Sequence, residues 1–349
     1  MLHVDLPGDS RGGVASQVSR LSDVLARRGN RVTVFTLSDP PPGVAYATHP
    51  LPLRGASASK PARLVTVPAA FALGRYRDFD VVHAHGDSQL LIRRRIPTIR
   101  TFYGSARDEA LTAVRLRRRL VQRALYRAER LARRTATVTV GISRATEASV
   151  GTLDAIVPCG VDRELFRPGE KSERPSILFV GTMGGRKRGA VLLDLFRREI
   201  RPRIPECELW CVADTSPADT DDAGVRRLGV VADDRLAELY RRAWLFVLPS
   251  TYEGFGVPYI EAMASGTPFV ATPNPGALEL VGERSGGLVA TDGELSEAIC
   301  SLLEDRDRRR QLAAAGRAES ARYEWDAVAG AYERLYAVAI AGTRGNGRS

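Results

Sequence analysis

Short β-branched runs alternate with longer helix-patterned segments along this chain, and the alternation stops once and then starts again. Residues 1–6, 31–36, 80–85, 98–102 and 137–142 read as strands with helices between them. After the turn at 157–162 comes a Pro/Gly/charge-rich stretch, 167–175, and the series resumes with 176–181, 208–213, 244–249 and 268–272. Strands that alternate with helices pair in parallel, because each crossover returns the chain to the same end of the sheet, and the helices then cover both faces. The expectation is an α/β protein of two doubly wound domains: residues 1–165 and 166–324, a helix over 325–341 packing back towards the first domain, and a disordered tail, 342–349. Ligands of such sheets bind beyond the carboxyl ends of the strands, so two of them facing each other leave a central cleft there.

Composition agrees with two ordered domains. The 349 residues exceed what one core usually serves, about 250–300, and 44% are hydrophobic against 26% charged. The longest apolar stretch, near 64–73, is broken by Pro68 and falls short of the roughly 20 residues needed to cross a bilayer. With no basic leader or long apolar run at the start, a cytoplasmic location is expected. Cys159, Cys207, Cys211 and Cys300 lack metal-site spacing and read as buried thiols. The net charge of +10 is almost all arginine and favours anionic partners. Nucleic acid is not among those expected, since the basic residues have no interleaved aromatics and match no recognition helix.

The chemistry concentrates just after two strands of the second half. Following 244–249 comes Ser250-Thr251-Tyr252-Glu253-Gly254-Phe255-Gly256-Val257-Pro258-Tyr259-Ile260-Glu261, which reads as strand, glycine loop and helix start. Pro258 suits a first helical turn, and Gly266 suits the position past the helix end. A helix start preceded by Gly254 and Gly256 offers free N–H groups and partial positive charge to a phosphate. Glu253 in the loop and Glu261 one turn inside the helix point to different parts of one extended ligand, and a carboxylate accepts two hydrogen bonds from a vicinal diol. A sugar nucleotide carries diols at both ends. The second element, Gly181-Thr182-Met183-Gly184-Gly185-Arg186-Lys187-Arg188-Gly189, places three consecutive cations where a departing diphosphate develops charge.

These motifs resemble those of the retaining glycosyltransferases of the GT-B fold, specifically glycosyltransferase family 4, whose hallmark is Glu-x7-Glu. The resemblance implies two Rossmann-like domains and a metal-independent transfer of a hexose from a nucleotide diphosphate donor, with no cofactor. It implies that Glu253 contacts the hexose, that Phe255–Val257 present backbone N–H groups to sugar and diphosphate, beside the Gly254 already read as donor-binding, and that Glu261 binds the ribose hydroxyls. In the family the cationic loop ends Lys-Gly; here Arg188-Gly189 stands there with Lys187 before it, so the division of tasks among Arg186, Lys187 and Arg188 stays open, as does the part of Gly181. The segment with Gly229 and Val230 resembles the one whose backbone holds the nucleobase. Uracil is favoured only as the commonest base in the family, and Glu279 matches a further family position.

The acceptor half is less legible. Gly12 and Gly13 open a helix after the first strand, a loop that in the family lies near the donor phosphates. His85 ends a strand and is expected at the cleft rim, with His83 facing the same way. The next strand ends Tyr103-Gly104-Ser105, where many family members carry a histidine in place of the tyrosine. An unperturbed phenol, with a pKa of about 10, is a poor base at neutral pH, so Tyr103 is expected to position substrate. That fits a front-face retaining transfer, in which the leaving phosphate takes the acceptor proton. Cys159 replaces the usual Asn of an Asn-Gly-Val-Asp turn.

Residues 107–134 hold ten arginines around Leu111, Leu116, Leu120, Leu125 and Leu131. They read as a basic amphipathic helix pair suited to an anionic membrane, on the inner membrane face, or to an acidic acceptor; a plain solvated face explains them equally. The acceptor itself is unidentified: a polysaccharide, lipid or natural-product intermediate. The competing readings are a sugar-nucleotide epimerase or hydrolase of the same fold, and a non-catalytic nucleotide-sugar-binding protein.

Overall fold

The computed structural model describes residues 1–7, 13–51, 60–86, 89–91, 96–104, 116–213, 223–281 and 286–345. They divide into two compact units, Met1–Gly160 with Trp325–Ser349, and Val161–Glu324.

The first unit contains strands β1 (Thr33–Thr36), β2 (Ala47–Pro50), β3 (Val82–His85), β4 (Thr98–Phe102), β5 (Val138–Gly141) and β6 (Ala155–Ile156). Its helices are α1 (Gly13–Arg27), α2 (Lys60–Leu73), α3 (Leu116–Thr135) and α4 (Arg144–Val150). The strands pair in parallel, β1 with β2 and β3 through β6 in order. The expected first strand is reduced to a bridge at Leu2, yet it stitches the two pieces together. Leu2 N–H donates to His83 O at 2.8 Å and His85 N–H to Leu2 O at 3.0 Å on one side, while Phe35 N–H donates to Met1 O at 2.9 Å on the other. Chain order therefore reverses between residues 1–4 and β3, a topological switch point. Every residue of β3, β4 and β5 is buried, as parallel strands covered on both faces require.

The C-terminal helix, Trp325–Gly345, belongs to this unit. Its Val328, Ala329 and Tyr332 pack in one core with Leu21, Leu25, Ile99 and Val140. Each such large apolar side chain stabilises by about 1.5–3 kcal/mol on burial. Arg28 of the loop after α1 reaches the helix twice, at 3.0 Å from Asp326 and 2.8 Å from Glu333. The helix continues past the expected end at 341 into the segment read as disordered, with buried Ala339 holding its later turns; residues 346–349 lie outside the described residues. The boundary between units falls at Gly160/Val161, ahead of the expected 165/166. Gln17 fixes Gly160 there, donating to its carbonyl at 3.0 Å and accepting from its N–H at 2.8 Å. A Cβ on Gly160 would come within 2.4 Å of the Trp325 ring, so that crossing needs glycine.

The second unit is a parallel sheet of β7 (Ser176–Val180), β8 (Glu208–Val212), β9 (Val225–Gly229), β10 (Leu245–Leu248), β11 (Phe269–Ala271) and β12 (Gly287–Val289), in the order β12-β11-β10-β7-β8-β9. Its helices are α5 (Gly189–Leu195), extended by a π turn over Phe196–Ile200, then α6 (Asp233–Arg242), α7 (Val257–Ala264), α8 (Pro275–Leu280), α9 (Leu295–Glu304) and α10 (Arg306–Glu319). Here the order reverses between β7 and β10, so the loops leaving those neighbours diverge and open a crevice at their carboxyl ends. Both strongest motifs are those two loops. Below them Tyr240, Phe246, Tyr259 and Phe269 form a buried aromatic column, with successive ring centroids 5.2, 6.1 and 4.8 Å apart.

Candidate active site

At the ends of β7, β8 and β9 the backbone steps across the sheet. Gly181 N–H donates to Val212 O at 2.9 Å and Ala213 N–H to Gly229 O at 3.1 Å, which sets Gly181 and Gly229 on one edge. Beyond Gly181 the loop winds through a 3₁₀ turn, Gly185–Lys187, into Arg188. Arg188 has φ 56° and ψ 37°, and is the one non-glycine residue with positive φ among those described. Gly189 then opens α5 so close to Phe179 that a Cβ would lie 2.6 Å from its ring.

The loop after β10 is fastened to this one. Thr251 N–H donates to Arg186 O at 2.9 Å, and the Lys187 ammonium lies 2.7 Å from Glu253 Oε1. Ser250 Oγ donates to the same carboxylate oxygen at 2.7 Å. Glu253 is buried, at 6% exposure, so its charge is held by a cation and a hydroxyl in place of water. Gly256 turns left-handed, φ 95°, into α7, and a Cβ there would lie 2.3 Å from the Tyr259 ring. From behind, Gly276 of α8 donates its N–H to Glu253 O at 2.8 Å and lies so near Phe255 O that a Cβ would approach within 2.4 Å. Asn274 caps α8 by accepting from Ala277 N–H at 3.0 Å and donates to Tyr259 Oη at 3.1 Å. Residues 253–257 are thereby fixed in shape through Glu253, Gly254, Phe255, Gly256 and Val257.

Glu261, one turn into α7, is partly buried, and burial pushes its carboxyl up to about 8. The Tyr240 hydroxyl and the Lys187 ammonium beside it favour the charged form and Asp233 opposes it, but desolvation prevails. The Tyr240 hydroxyl is buried without a regular hydrogen-bond partner among the described residues. Burial first, and then the carboxylates of Glu261 and Glu253, hold its phenol well above the usual range. Lys187, Glu253 and Glu261 thus converge on one place.

The three cations of the β7 loop differ in environment. Lys187 is taken by Glu253, and Arg188 forms a two-pronged pair with Asp292 at 2.9 and 2.8 Å. Arg186 is exposed and has no ion-pair partner among the described residues. Val230, 54% exposed beside the left-handed Gly229, leaves an apolar side chain open next to the end of β9. Sequence reasoning missed Ser250, Tyr240 and Asp292. A hydroxyl three residues before Glu253 was visible, but nothing local marks Tyr240 or Asp292, which come from other elements.

In the first unit, Gly13 starts α1 with open space where a Cβ would be, while Gly12 and Ser105 lie outside the described residues. The expectation of His85 at a rim is corrected, for its ring is enclosed, at 1% exposure. Its ring lies tilted against that of His83, centroids 3.8 Å apart, with Nδ1 bonded to Tyr103 Oη at 3.0 Å and Nε2 against Met1 Sδ. The reason is the returning C-terminal helix: Tyr336 Oη meets His83 Nδ1 at 2.8 Å, and Tyr332 meets Thr101, which bonds His83 Nε2. Burial drives both imidazoles well below their usual range and the Tyr103 phenol well above its own. Gly104 follows Tyr103 at the end of β4, and Cys159 is a buried thiol pushed up to about 12. Of the basic segment 107–134, residues 107–115 lie outside the described residues; in the rest, Leu131 is exposed and Arg133 donates to Thr152 O. Among the described residues no cluster of three His, Cys, Asp or Glu side chains is arranged to hold a metal ion, and no helix is long and apolar enough to cross a membrane.

Two family profiles match the chain: one described as Glycosyltransferase Family 4 over residues 11–165, the other as Glycosyl transferases group 1 over residues 174–305. The chain is 30% identical to a D-inositol 3-phosphate glycosyltransferase of Segniliparus rotundus, the match covering 96% of this chain and 86% of that one. The chain belongs to glycosyltransferase family 4. Solved structures agree on the fold of this family 4 glycosyltransferase. Sucrose-phosphate synthase from Thermosynechococcus elongatus superposes with a TM-score of 0.78 at 22% identity, over 98% of this chain and 99% of the other. HepE from Anabaena, in complex with UDP-glucose, gives 0.71 at 18% identity, over 97% and 99%. The fold is GT-B, built of two Rossmann-like domains. In this family 4 chain the group 1 profile spans both fastened loops, from before β7 to beyond Glu261.

Proposed function

We propose that this glycosyltransferase moves a hexose from a nucleotide diphosphate sugar, a UDP-sugar, to an acceptor hydroxyl with retention of configuration and without a metal ion. One observation carries the reading: at the β7/β10 switch point an ammonium and two carboxylates of different character stand together on a glycine-shaped helix start. The diphosphate lies against Lys187, Arg186 and the N–H groups of residues 254–257, where cations and the helix start supply the charge a metal would otherwise bring. Arg188, already paired with Asp292, holds the loop and adds field at longer range. Glu253 meets the hexose hydroxyls, Glu261 the ribose diol, and the open face of Val230 next to Gly229 the base. HepE, of the same fold, holds UDP-glucose, which supports uridine as the nucleoside.

In the transfer, the bond from the anomeric carbon to the β-phosphate oxygen breaks while the acceptor oxygen bonds to the same face of that carbon. The acceptor proton passes to the departing phosphate oxygen. No protein nucleophile is needed, and Tyr103 has a positioning part only. The acceptor is a polysaccharide, lipid or natural-product intermediate on the cytoplasmic side, and the arginines of 107–134 offer a face to anionic lipid.

The test is a thermal-shift panel of UDP- and GDP-sugars in EDTA, followed by NMR assignment of the product anomer. A ligand held only by the native state raises its melting temperature, by about 2.7 kcal/mol of stability at a hundred times its Kd. A UDP-sugar should do so in EDTA, and Glu261→Ala should abolish it. If no nucleotide sugar moves the transition, or only free hexose is released with every acceptor supplied, the proposal fails.

A further inference from the structure

The second unit has another cationic cavity, at the opposite end of its sheet. Its walls come from the residues that precede strands: Lys171 and Ser172 before β7, Trp244 before β10 and Pro268 before β11, closed by the first turns of α10. Strands of four or five residues rise about 3.3 Å per residue, so roughly 15 Å of sheet separates this cavity from Glu253. It encloses about 520 Å³. Lys171, Arg306, Arg309 and Arg310 line it, and no acidic residue does.

Two of the cations are built in. The Arg309 guanidinium lies 4.3 Å from the centroid of the Trp244 ring and donates to the carbonyls of Leu302 and Leu303 that end α9. The Trp244 indole is itself fixed, its N–H donating to Ser172 O at 2.8 Å. Lys171 reaches inward to Thr267 Oγ1 at 2.7 Å and has no carboxylate partner among the described residues. Burial and the facing Arg309 push its amine down to about 7, as expected where positive charge is crowded and uncompensated. Arg306 and Arg310 stand exposed at the mouth, Arg310 only loosely paired with Asp307 at 3.9 Å. The lining between these charges includes apolar side chains, Trp244, Pro268 and Ala313.

Three guanidinium groups and the Lys171 amine, with no acid in the lining and only Asp307 at 3.9 Å from Arg310 beside it, call for a multiply charged anion, and an apolar lining calls for carbon attached to it. We propose that this cavity is a second binding site, separate from the donor crevice, for a phosphate monoester carrying an apolar group. The phosphate sits between Lys171, Arg306 and Arg310, and the apolar group lies against Trp244 and Pro268. The chemistry is shared by a soluble organophosphate and by a phosphomonoester lipid headgroup.

Calorimetric titration of the full chain saturated with UDP tests this, with phenyl phosphate, inorganic phosphate and phenol as probes. Saturation keeps the probes out of the donor crevice. Phenyl phosphate should bind at least about tenfold more tightly than inorganic phosphate, and phenol not measurably. Lys171→Met and the surface pair Arg306→Ala/Arg310→Ala should each weaken it by about tenfold or more, with melting temperature and UDP affinity unchanged. A parallel arm uses phosphatidylcholine vesicles with and without phosphatidic acid. Flotation lost in the same variants assigns a lipid headgroup; soluble binding without flotation assigns a soluble ester. Equal binding of phenyl phosphate and inorganic phosphate would overturn the proposal, as would wild-type affinity in well-folded variants or probe binding that is seen without UDP and lost at UDP saturation.

Discussion

The Lys187 ammonium rests 2.7 Å from Glu253 Oε1, although the two residues stand on loops leaving different strands, β7 and β10. The pair spans the point where strand order reverses, and it sets a positive charge next to a buried carboxylate before any ligand arrives. With Lys187 at 16% and Glu253 at 7% side-chain exposure, neither partner can be removed without cost to the other.

Glu253→Gln keeps the shape and a hydrogen bond from Ser250 but strips Lys187 of its counter-charge. Turnover over KM should fall about a hundredfold or more, and stability by an amount at or below the about 3–5 kcal/mol typical of breaking a buried pair. Initial rates and urea unfolding measure the two. Wild-type rates in Glu253→Gln would remove Glu253 from the donor site.

Glu261 links stability to pH. Its folded pKa, about 8, lies above the unfolded value of 4.5, so the folded state holds the proton more tightly. The stability this contributes is complete below about pH 4.5 and is lost as pH rises through 8. Glu261→Gln, a mimic of the neutral acid, should therefore melt near wild type at pH 5 and several degrees above it at pH 9. Donor binding should respond in the opposite sense, because the ribose diol needs the carboxylate as acceptor. Affinity for a UDP-sugar should rise from pH 6 to 8.5 in wild type and stay flat and weak in Glu261→Gln. A flat wild-type profile by calorimetry would rule this coupling out.

Arg188 combines a strained backbone with a useful charge. Its left-handed conformation costs about 1–2 kcal/mol for a residue with a Cβ, a cost glycine avoids, while its pair with Asp292 returns up to about 1 kcal/mol at an exposed site. Arg188→Gly should thus remain within about 1 kcal/mol of wild type in stability, and Arg188→Val should lose more than either. Denaturant midpoints separate the three, and equal loss in the glycine and valine variants would count against backbone strain.

Tyr103→Phe removes the hydroxyl bonded to His85 Nδ1 at 3.0 Å. Because burial holds the phenol well above its usual range, it cannot serve as a base near neutral pH, and turnover should drop by no more than about tenfold, with no new limb in the pH profile. A loss beyond about a thousandfold would contradict a positioning part.

The sequence was readable where signals are local. The strand at 98–102 was expected with the bounds it has, Thr98–Phe102, and the glycine and proline pattern around Glu253 and Glu261 marked a strand-loop-helix passage that is present. Short or irregular pieces were not readable. β12 is Gly287–Val289, too brief for periodicity, and residues 1–4 act as a strand chiefly through bonds to β1 and β3. Long-range pairings were likewise invisible: no local rule joins Lys187 to Glu253, Arg188 to Asp292, or Glu261 to Tyr240. His85 was misplaced for the same reason, since the tyrosines that enclose its neighbourhood arrive from a helix more than two hundred residues later.

The second unit leaves and rejoins the first at adjacent points: Val161 N–H donates to Tyr323 O at 2.7 Å, and Val161 bridges Glu324, while Gly160 packs under Trp325. Topologically it is a guest spliced into a host, its two ends tied together at the base. Adjacent ends of this kind are where insertion of one module into another is tolerated, so 161–324 alone, and the first unit closed over the gap by a few residues of linker, are each expected to fold, which thermal melting of the two polypeptides would check.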